Sequence, residues 1–239
     1  MNLVGKVALV TGGGARIGRA LCEALASQGC AVVVHYRRSK KDACELVRRL
    51  EADGARATAI QGALDTQADC ERLISLAFTA FKQLDILVNN ASSFQHMDFR
   101  RVRRADLDRA FSINLDAPVL LTRAFAQRAR RGSVLNLLDS RIAGNAPGQL
   151  PYLLSKQGLA NFTRAAALEL APDFTVNAVA PGPVLAPDKG SRTAREKAGV
   201  FPLGRRPTPN DVADAALFLL GSEAITGQIV YVDGGQNLL

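Results

Sequence analysis

Along this chain, short, mostly apolar runs take turns with longer segments in which apolar residues return every three or four positions. The runs occupy residues 7–10, 31–34, 57–60, 86–88, 134–138, 176–179 and 229–232. A strand with one wet face alternates apolar and polar residues; these runs do not, so both of their faces must be covered. Separated by segments of helical length, they describe parallel strands joined by crossover helices. The expected fold is α/β: a doubly wound, seven-stranded, mostly parallel sheet flanked by helices on both faces. Its ligand should lie beyond the carboxyl ends of the strands.

No segment between these elements is long or polar enough to be a linker, so residues 1–239 are expected to form one domain. Between 181 and 202, Pro181, Gly182, Pro183, Pro187 and Gly190 interrupt any period. An irregular stretch of that length inside a compact domain reads as a functional lid, expected over the substrate at about 183–202.

Composition narrows the class. With 48% hydrophobic and 22% charged residues the chain sits near the globular average. No run approaches the roughly 18 apolar residues of a membrane span, so no membrane partner is expected. The apolar residues near the start lead straight into a glycine turn, which reads as a first strand and not as a secretory signal, and the cytoplasm is the expected compartment. Cys22, Cys30, Cys44 and Cys70 show neither CxxC spacing nor a nearby histidine cluster; they read as buried or bystander thiols, and no metal site is expected. The net charge of +8 is arginine-rich, with Arg100, Arg101, Arg103 and Arg104 together and Arg128, Arg130 and Arg131 further on. Both clusters lie on or beside helical patterns whose apolar members (Leu107 and Phe111; Leu120, Leu121 and Phe125) face inward. The arginines therefore read as a solvated face, and no nucleic-acid partner is expected.

Two places carry chemistry. After the first run comes Thr11-Gly12-Gly13-Gly14-Ala15-Arg16-Ile17-Gly18, followed by a helical pattern. Glycines there let the backbone approach a pyrophosphate at a helix N-terminus, where unpaired N–H groups favour an anion. The second run ends in His35-Tyr36-Arg37-Arg38-Ser39. A ribose 2′-hydroxyl calls for a carboxylate at that place, whereas a 2′-phosphate calls for guanidinium and hydroxyl donors, so the expected cofactor is NADPH. Surface arginine is the plainer alternative. Further along the chain Tyr152 and Lys156 stand four apart at the start of a helical pattern, which puts them on one face. A cation beside a phenol favours phenolate and lowers its pKa from about 10, so Tyr152 is expected to pass a proton near neutral pH.

The order of motifs along nearly the whole chain resembles the short-chain dehydrogenases/reductases, which have a Rossmann fold. The matching pieces are the TGxxxxxG turn at Thr11 to Gly18, Asn89-Asn90-Ala91, Asn114 in Ile113-Asn114-Leu115, Tyr152xxxLys156, Pro181-Gly182 and Val232-Asp233-Gly234-Gly235. The resemblance implies that Tyr152 is the general acid, that Lys156 contacts the nicotinamide ribose and tunes the tyrosine, and that Asn114 holds a proton-relay water. It places Gly12, Ile17, Gly18, Asn90 and Ala91 beside the cofactor, with Pro181 and Gly182 near the nicotinamide. Ala63 replaces an aspartate that in many members contacts adenine, which leaves only a backbone contact near Leu64. A homotetramer is implied on the same ground.

Three departures resemble a narrower group, the pteridine reductases, and the chain is similar to dihydromonapterin reductase as well. Arg16 takes the place of the turn's usual middle glycine, Ser92 that of the glycine after Asn-Asn-Ala, and Asp139 that of the serine thirteen residues before the tyrosine. The likeness gives Arg16 to pyrophosphate and substrate, and Ser92 and Phe94 of Asn90-Ala91-Ser92-Ser93-Phe94 to a pterin ring. Arg38 and Ser39 are the best-matched phosphate contacts, and Asp139 is expected to act with Tyr152 on a C=N bond. Val184 stands where pteridine reductases offer a polar group. Asp139 also reads as a cap or turn residue, and Phe94 as a loop hydrophobe covering the core. The expected activity is NADPH-dependent reduction of a pterin or folate-like small molecule. A carbonyl or 3-oxoacyl reductase and a non-catalytic NADP-binding sensor are the alternatives.

Overall fold

The computed structural model describes residues 2–144, 147–184 and 201–239. Its strands are β1 (Val7–Val10), β2 (Ala31–Tyr36), β3 (Ala57–Gln61), β4 (Ile86–Asn89), β5 (Gly132–Leu137), β6 (Phe174–Pro181) and β7 (Ile229–Val232). They form a single seven-stranded sheet in the order β3-β2-β1-β4-β5-β6-β7. Every pairing is parallel, so the "mostly parallel" expectation sharpens to an all-parallel Rossmann sheet.

The mostly apolar runs find their reason in β1. Val7 and Leu9 belong to one hydrophobic core and Ala8 and Val10 to another, so successive side chains alternate between two dry faces. Helices α1 (Arg16–Ser27) and α2 (Lys40–Ala52) pack on the Ala8 face. Helices α3 (Gln67–Phe81) and α5 (Ala117–Arg128) pack on the Val7 face. Helix α4 (Arg104–Phe111) runs into α5 through a π-helical turn, Ser112–Asp116, and packs against α6 (Leu150–Glu169). Helix α7 (Pro209–Gly221) lies against α1 and starts at a capping box in which Thr208 and Asp211 satisfy one another's exposed N–H groups.

The order reverses between β1 and β4, which opens a crevice at the carboxyl ends of the strands. The lid expected at about 183–202 lies, apart from its two ends, outside the described residues. Arg103 and Arg104 pair with Asp106 and Asp108 along α4, so part of the arginine excess is answered locally. Among the described residues no helix is long and apolar enough to cross a membrane.

Candidate active site

The turn from β1 to α1 is shaped by its glycines. Gly12 has φ +62°, and a Cβ on Gly18 would lie 2.3 Å from the Gly12 carbonyl oxygen, so only glycine permits this closure. The end of β4 holds the turn in place. Thr11 Oγ1 accepts from the amides of Asn90 (2.9 Å) and Ala91 (3.0 Å), and Asn90 Nδ2 donates to the carbonyls of Thr11 (2.8 Å) and Gly12 (3.1 Å). Arg16 adopts φ +55°, a left-handed conformation that costs a residue with a Cβ about 1–2 kcal/mol.

His35 reaches into the same turn from β2. Its Nδ1 accepts from the Gly12 amide at 3.2 Å, and its Nε2 lies 3.2 Å from the Gly62 carbonyl. Only the neutral ring protonated on Nε2 satisfies both partners. Burial holds its pKa down at about 4.

The two arginines that follow part company. The Arg37 guanidinium lies 2.6 Å from the Asp65 carboxylate. Arg38 is exposed and has no ion pair among the described residues. Ser39 stands at the N-cap of α2 with its hydroxyl unused in capping. An unpaired guanidinium, a free hydroxyl and a helix N-terminus together form a donor set that suits a phosphate.

At the other end of the crevice Asp139 follows β5 and caps a 3-10 turn, Ser140–Ala143, by accepting from the Arg141 amide at 3.0 Å. Helix α6 starts with Leu150 and Pro151, which sets Tyr152 and Lys156 one turn apart on one face. The Tyr152 hydroxyl donates to Asp139 Oδ2 at 2.9 Å. Asp139 is thus both a turn cap and the partner of the tyrosine. Arg141 grips the same carboxylate, Nε to Oδ1 at 2.7 Å and Nη2 to Oδ2 at 2.5 Å, and also donates to Gln149 Oε1. Lys156 Nζ donates to the Leu137 carbonyl at 2.6 Å and stands 6.0 Å from the centre of the Tyr152 ring.

This arrangement corrects the expected tuning of the tyrosine. Burial, and then the charge of Asp139, push the Tyr152 phenol well above its ordinary range, with Arg141 pulling the other way. Tyr152 therefore rests as a protonated donor. Burial brings Lys156 down to about 8, opposed by Asp139. The lysine has one hydrogen bond among the described residues, which leaves N–H groups of a buried ammonium for another acceptor.

Asn114 lies fully buried in the π-helical turn. Its Oδ1 accepts from the Ser93 amide (2.8 Å) and Ser92 Oγ (3.1 Å); its Nδ2 donates to the Ser93 carbonyl (2.9 Å) and Ser155 Oγ (3.0 Å). The side chain is a strut between α6 and the loop after β4, with its hydrogen-bonding capacity engaged. That loop carries Phe94, 53% exposed, whose ring meets the Tyr152 ring edge-on at 5.0 Å and 87°. So exposed a ring does not cover the core.

One open cleft of roughly 1340 Å³ joins the two ends. Every residue singled out from the sequence for cofactor or substrate lines it, from Gly12 and Arg38 to Ser92, Phe94, Pro181 and Gly182. Of the catalytic set Asp139, Tyr152 and Lys156 line it and Asn114 stands behind them. Val184, buried at 8%, forms part of the apolar wall. The residue that sequence reading missed is Arg141. A spacing of two has no meaning on a helix, and only the 3-10 turn folds Arg141 back onto Asp139.

Comparison with known proteins agrees with this architecture. Residues 14–237 match a family model described as enoyl-(acyl carrier protein) reductase. The chain is 35% identical over 98% of its length to a 3-oxoacyl-[acyl-carrier-protein] reductase of Synechocystis, of which it covers 97%. It superposes with TM-score 0.93 on the crystal structure of FolM alternative dihydrofolate reductase 1 from Brucella canis complexed with NADP, at 33% identity, over 100% of this chain and 96% of that one. The Brucella suis protein, also in complex with NADP, gives TM-score 0.93 and 34% identity, over 100% of this chain and 97% of that one. Likeness of this extent in both sequence and fold makes the chain a member of the short-chain dehydrogenase/reductase family.

Proposed function

We propose that the protein is an NADPH-dependent reductase acting on the C=N bond of a dihydropterin or dihydrofolate. The observation that carries this reading is the hydrogen bond from Tyr152 to Asp139 at 2.9 Å. Reduction of a ketone builds an alkoxide beside the phenol, and a hydroxyl neighbour can donate to it, whereas a carboxylate repels it. A pterin presents ring N–H and amino donors that a carboxylate accepts, and its ring nitrogen needs one proton. The likeness to two NADP-bound alternative dihydrofolate reductases supports the same reading.

The residues fit NADPH. Gly12, Ile17 and Gly18 line the cleft at the N-terminus of α1, where unpaired N–H groups suit a pyrophosphate. Arg38 and Ser39 offer donors for a 2′-phosphate, and the spare N–H groups of Lys156 suit a ribose hydroxyl. When bound, NADPH supplies the hydride. Tyr152, kept protonated by burial, turns its hydroxyl to the ring nitrogen and delivers the proton, and the Oδ2 of Asp139 that it leaves accepts a substrate N–H in its place. Phe94 offers an exposed ring face for stacking, with Ser92 and Arg16 on the same cleft wall.

Likeness to the Synechocystis 3-oxoacyl reductase favours a second reading, reduction of an acyl-thioester ketone. Purified protein should oxidise NADPH with dihydrobiopterin or dihydrofolate and not with acetoacetyl thioesters. Turnover of the thioester alone would replace the pterin reading with the second one.

A further inference from the structure

Asp139 stands where its charge works against the residue it serves. A carboxylate 2.9 Å from the Tyr152 hydroxyl favours the protonated phenol and resists the phenolate that must form when the proton leaves. With Tyr152 only 7% exposed, little water screens that effect. A cation has to offset it. Among the described residues Lys156 makes no ion pair with the carboxylate; its Nζ donates to the Leu137 carbonyl.

Arg141 does touch it. Its guanidinium meets both carboxylate oxygens in a fork (2.7 and 2.5 Å), and its own amide adds a third bond to Oδ1. With Tyr152 as the fourth donor, the two oxygens hold about the four hydrogen bonds a carboxylate can accept. Gln149 fixes the outer edge of the guanidinium, which lies 5.4 Å from the Phe94 ring centre and 5.7 Å from that of Tyr152.

We propose that Arg141 is a positioning residue of the proton-delivery centre: it neutralises Asp139, aims Oδ2 at the Tyr152 hydroxyl, and so allows a carboxylate to stand beside the catalytic phenol. The inference rests on reading Tyr152 and Asp139 as the proton-delivery pair, and is independent of whether the substrate is a pterin. The pull of Arg141 on the phenol is downward, against burial and Asp139, as this role requires.

The test is a double-mutant cycle of Arg141→Gln and Asp139→Ser, read by thermal unfolding and by steady-state kinetics with NADPH and dihydrobiopterin, with Arg141→Lys as the conservative variant. In the native background Arg141→Gln should lower Tm by about 4 °C and kcat about 100-fold, because it strands the Asp139 charge. In the Asp139→Ser background the same change should lower Tm by about 1 °C and kcat about 3-fold. KM for NADPH should stay put throughout. Arg141→Lys restores charge without the fork and should recover part of kcat. Equal losses in the two backgrounds would show that Arg141 merely packs against Phe94 and Gln149, and would overturn the proposal. If dihydrobiopterin is not reduced, the pterin reading alone falls and the kinetic arm is run with an acetoacetyl thioester, since only a coupled loss of kcat, and not the Tm coupling that any ion pair would give, supports the positioning role.

Discussion

The Gly12 amide donates to Nδ1 of His35 across 3.2 Å, and the far nitrogen of the same ring reaches the Gly62 carbonyl. A buried, neutral imidazole therefore ties the glycine turn to the end of β3. Protonation would put an N–H against the Gly12 N–H and break the tie.

That geometry makes stability depend on pH in a defined window. The folded pKa of His35 is held at about 4 by burial, below its ordinary 6.5. Between these values the unfolded chain takes up a proton that the folded chain refuses, so the contribution is complete above about 6.5 and is lost as pH falls towards about 4. Its upper size is about 3 kcal/mol. Thermal unfolding across this range should show a shallower acid-side decline for His35→Asn, which keeps an acceptor near Gly12 but does not titrate. Superimposable curves would remove His35 as the source.

Tyr152→Phe should lower turnover by roughly 10²- to 10⁴-fold, the usual contribution of a positioned general acid. Affinity for NADPH should change little, because the partner of the hydroxyl is Asp139. Fluorescence titration with NADPH alongside turnover separates the two effects. Undiminished turnover would refute the mechanism, and an enzyme-free sensor would show no turnover in either protein.

The arginine pair at the end of β2 predicts an asymmetry. Arg37 is held by Asp65, whereas Arg38 is unpaired among the described residues. Arg38→Asp should weaken NADPH binding about 10- to 100-fold, the worth of a charge-assisted contact, and bring NADH closer to it. Arg37→Ala should cost less than threefold, by the small worth of an exposed pair. Dissociation constants for both nucleotides measure this; the reverse ranking would assign the phosphate to Arg37.

What the sequence made legible follows from the range of the forces involved. Strand positions could be read because burial on both faces leaves mostly apolar runs; the run 31–34 extends in the structure to Ala31–Tyr36 because His35 is buried with both ring nitrogens bonded. Tyr152 and Lys156 could be placed on one face because a helix fixes neighbours four apart. Their electrostatics could not be read. Lys156 bends to the Leu137 carbonyl, while Asp139 and Arg141, brought in by a turn with no periodic signature, set the phenol's surroundings. His35 was singled out as a cofactor residue, but a sequence cannot show that both its nitrogens are engaged by the protein itself.

Arg16 gives the last prediction. Its φ of +55° would be free for glycine and is costly for arginine, and its exposed guanidinium has no ion pair or hydrogen bond among the described residues. A side chain that strains its own backbone and binds nothing in the protein is best explained by something outside the chain, and Arg16 lines the cleft between the glycine turn and Phe94. Arg16→Gly should leave Tm unchanged or raise it by about 2 °C, as relief of strain is partly offset by the entropy of glycine in the unfolded chain. The same change should lower kcat/KM for the pterin about 10-fold or more, through loss of a charge-assisted contact. Unfolding and kinetics on one preparation read both quantities. A lower Tm with unchanged kcat/KM would mean that Arg16 serves the turn and not the ligand.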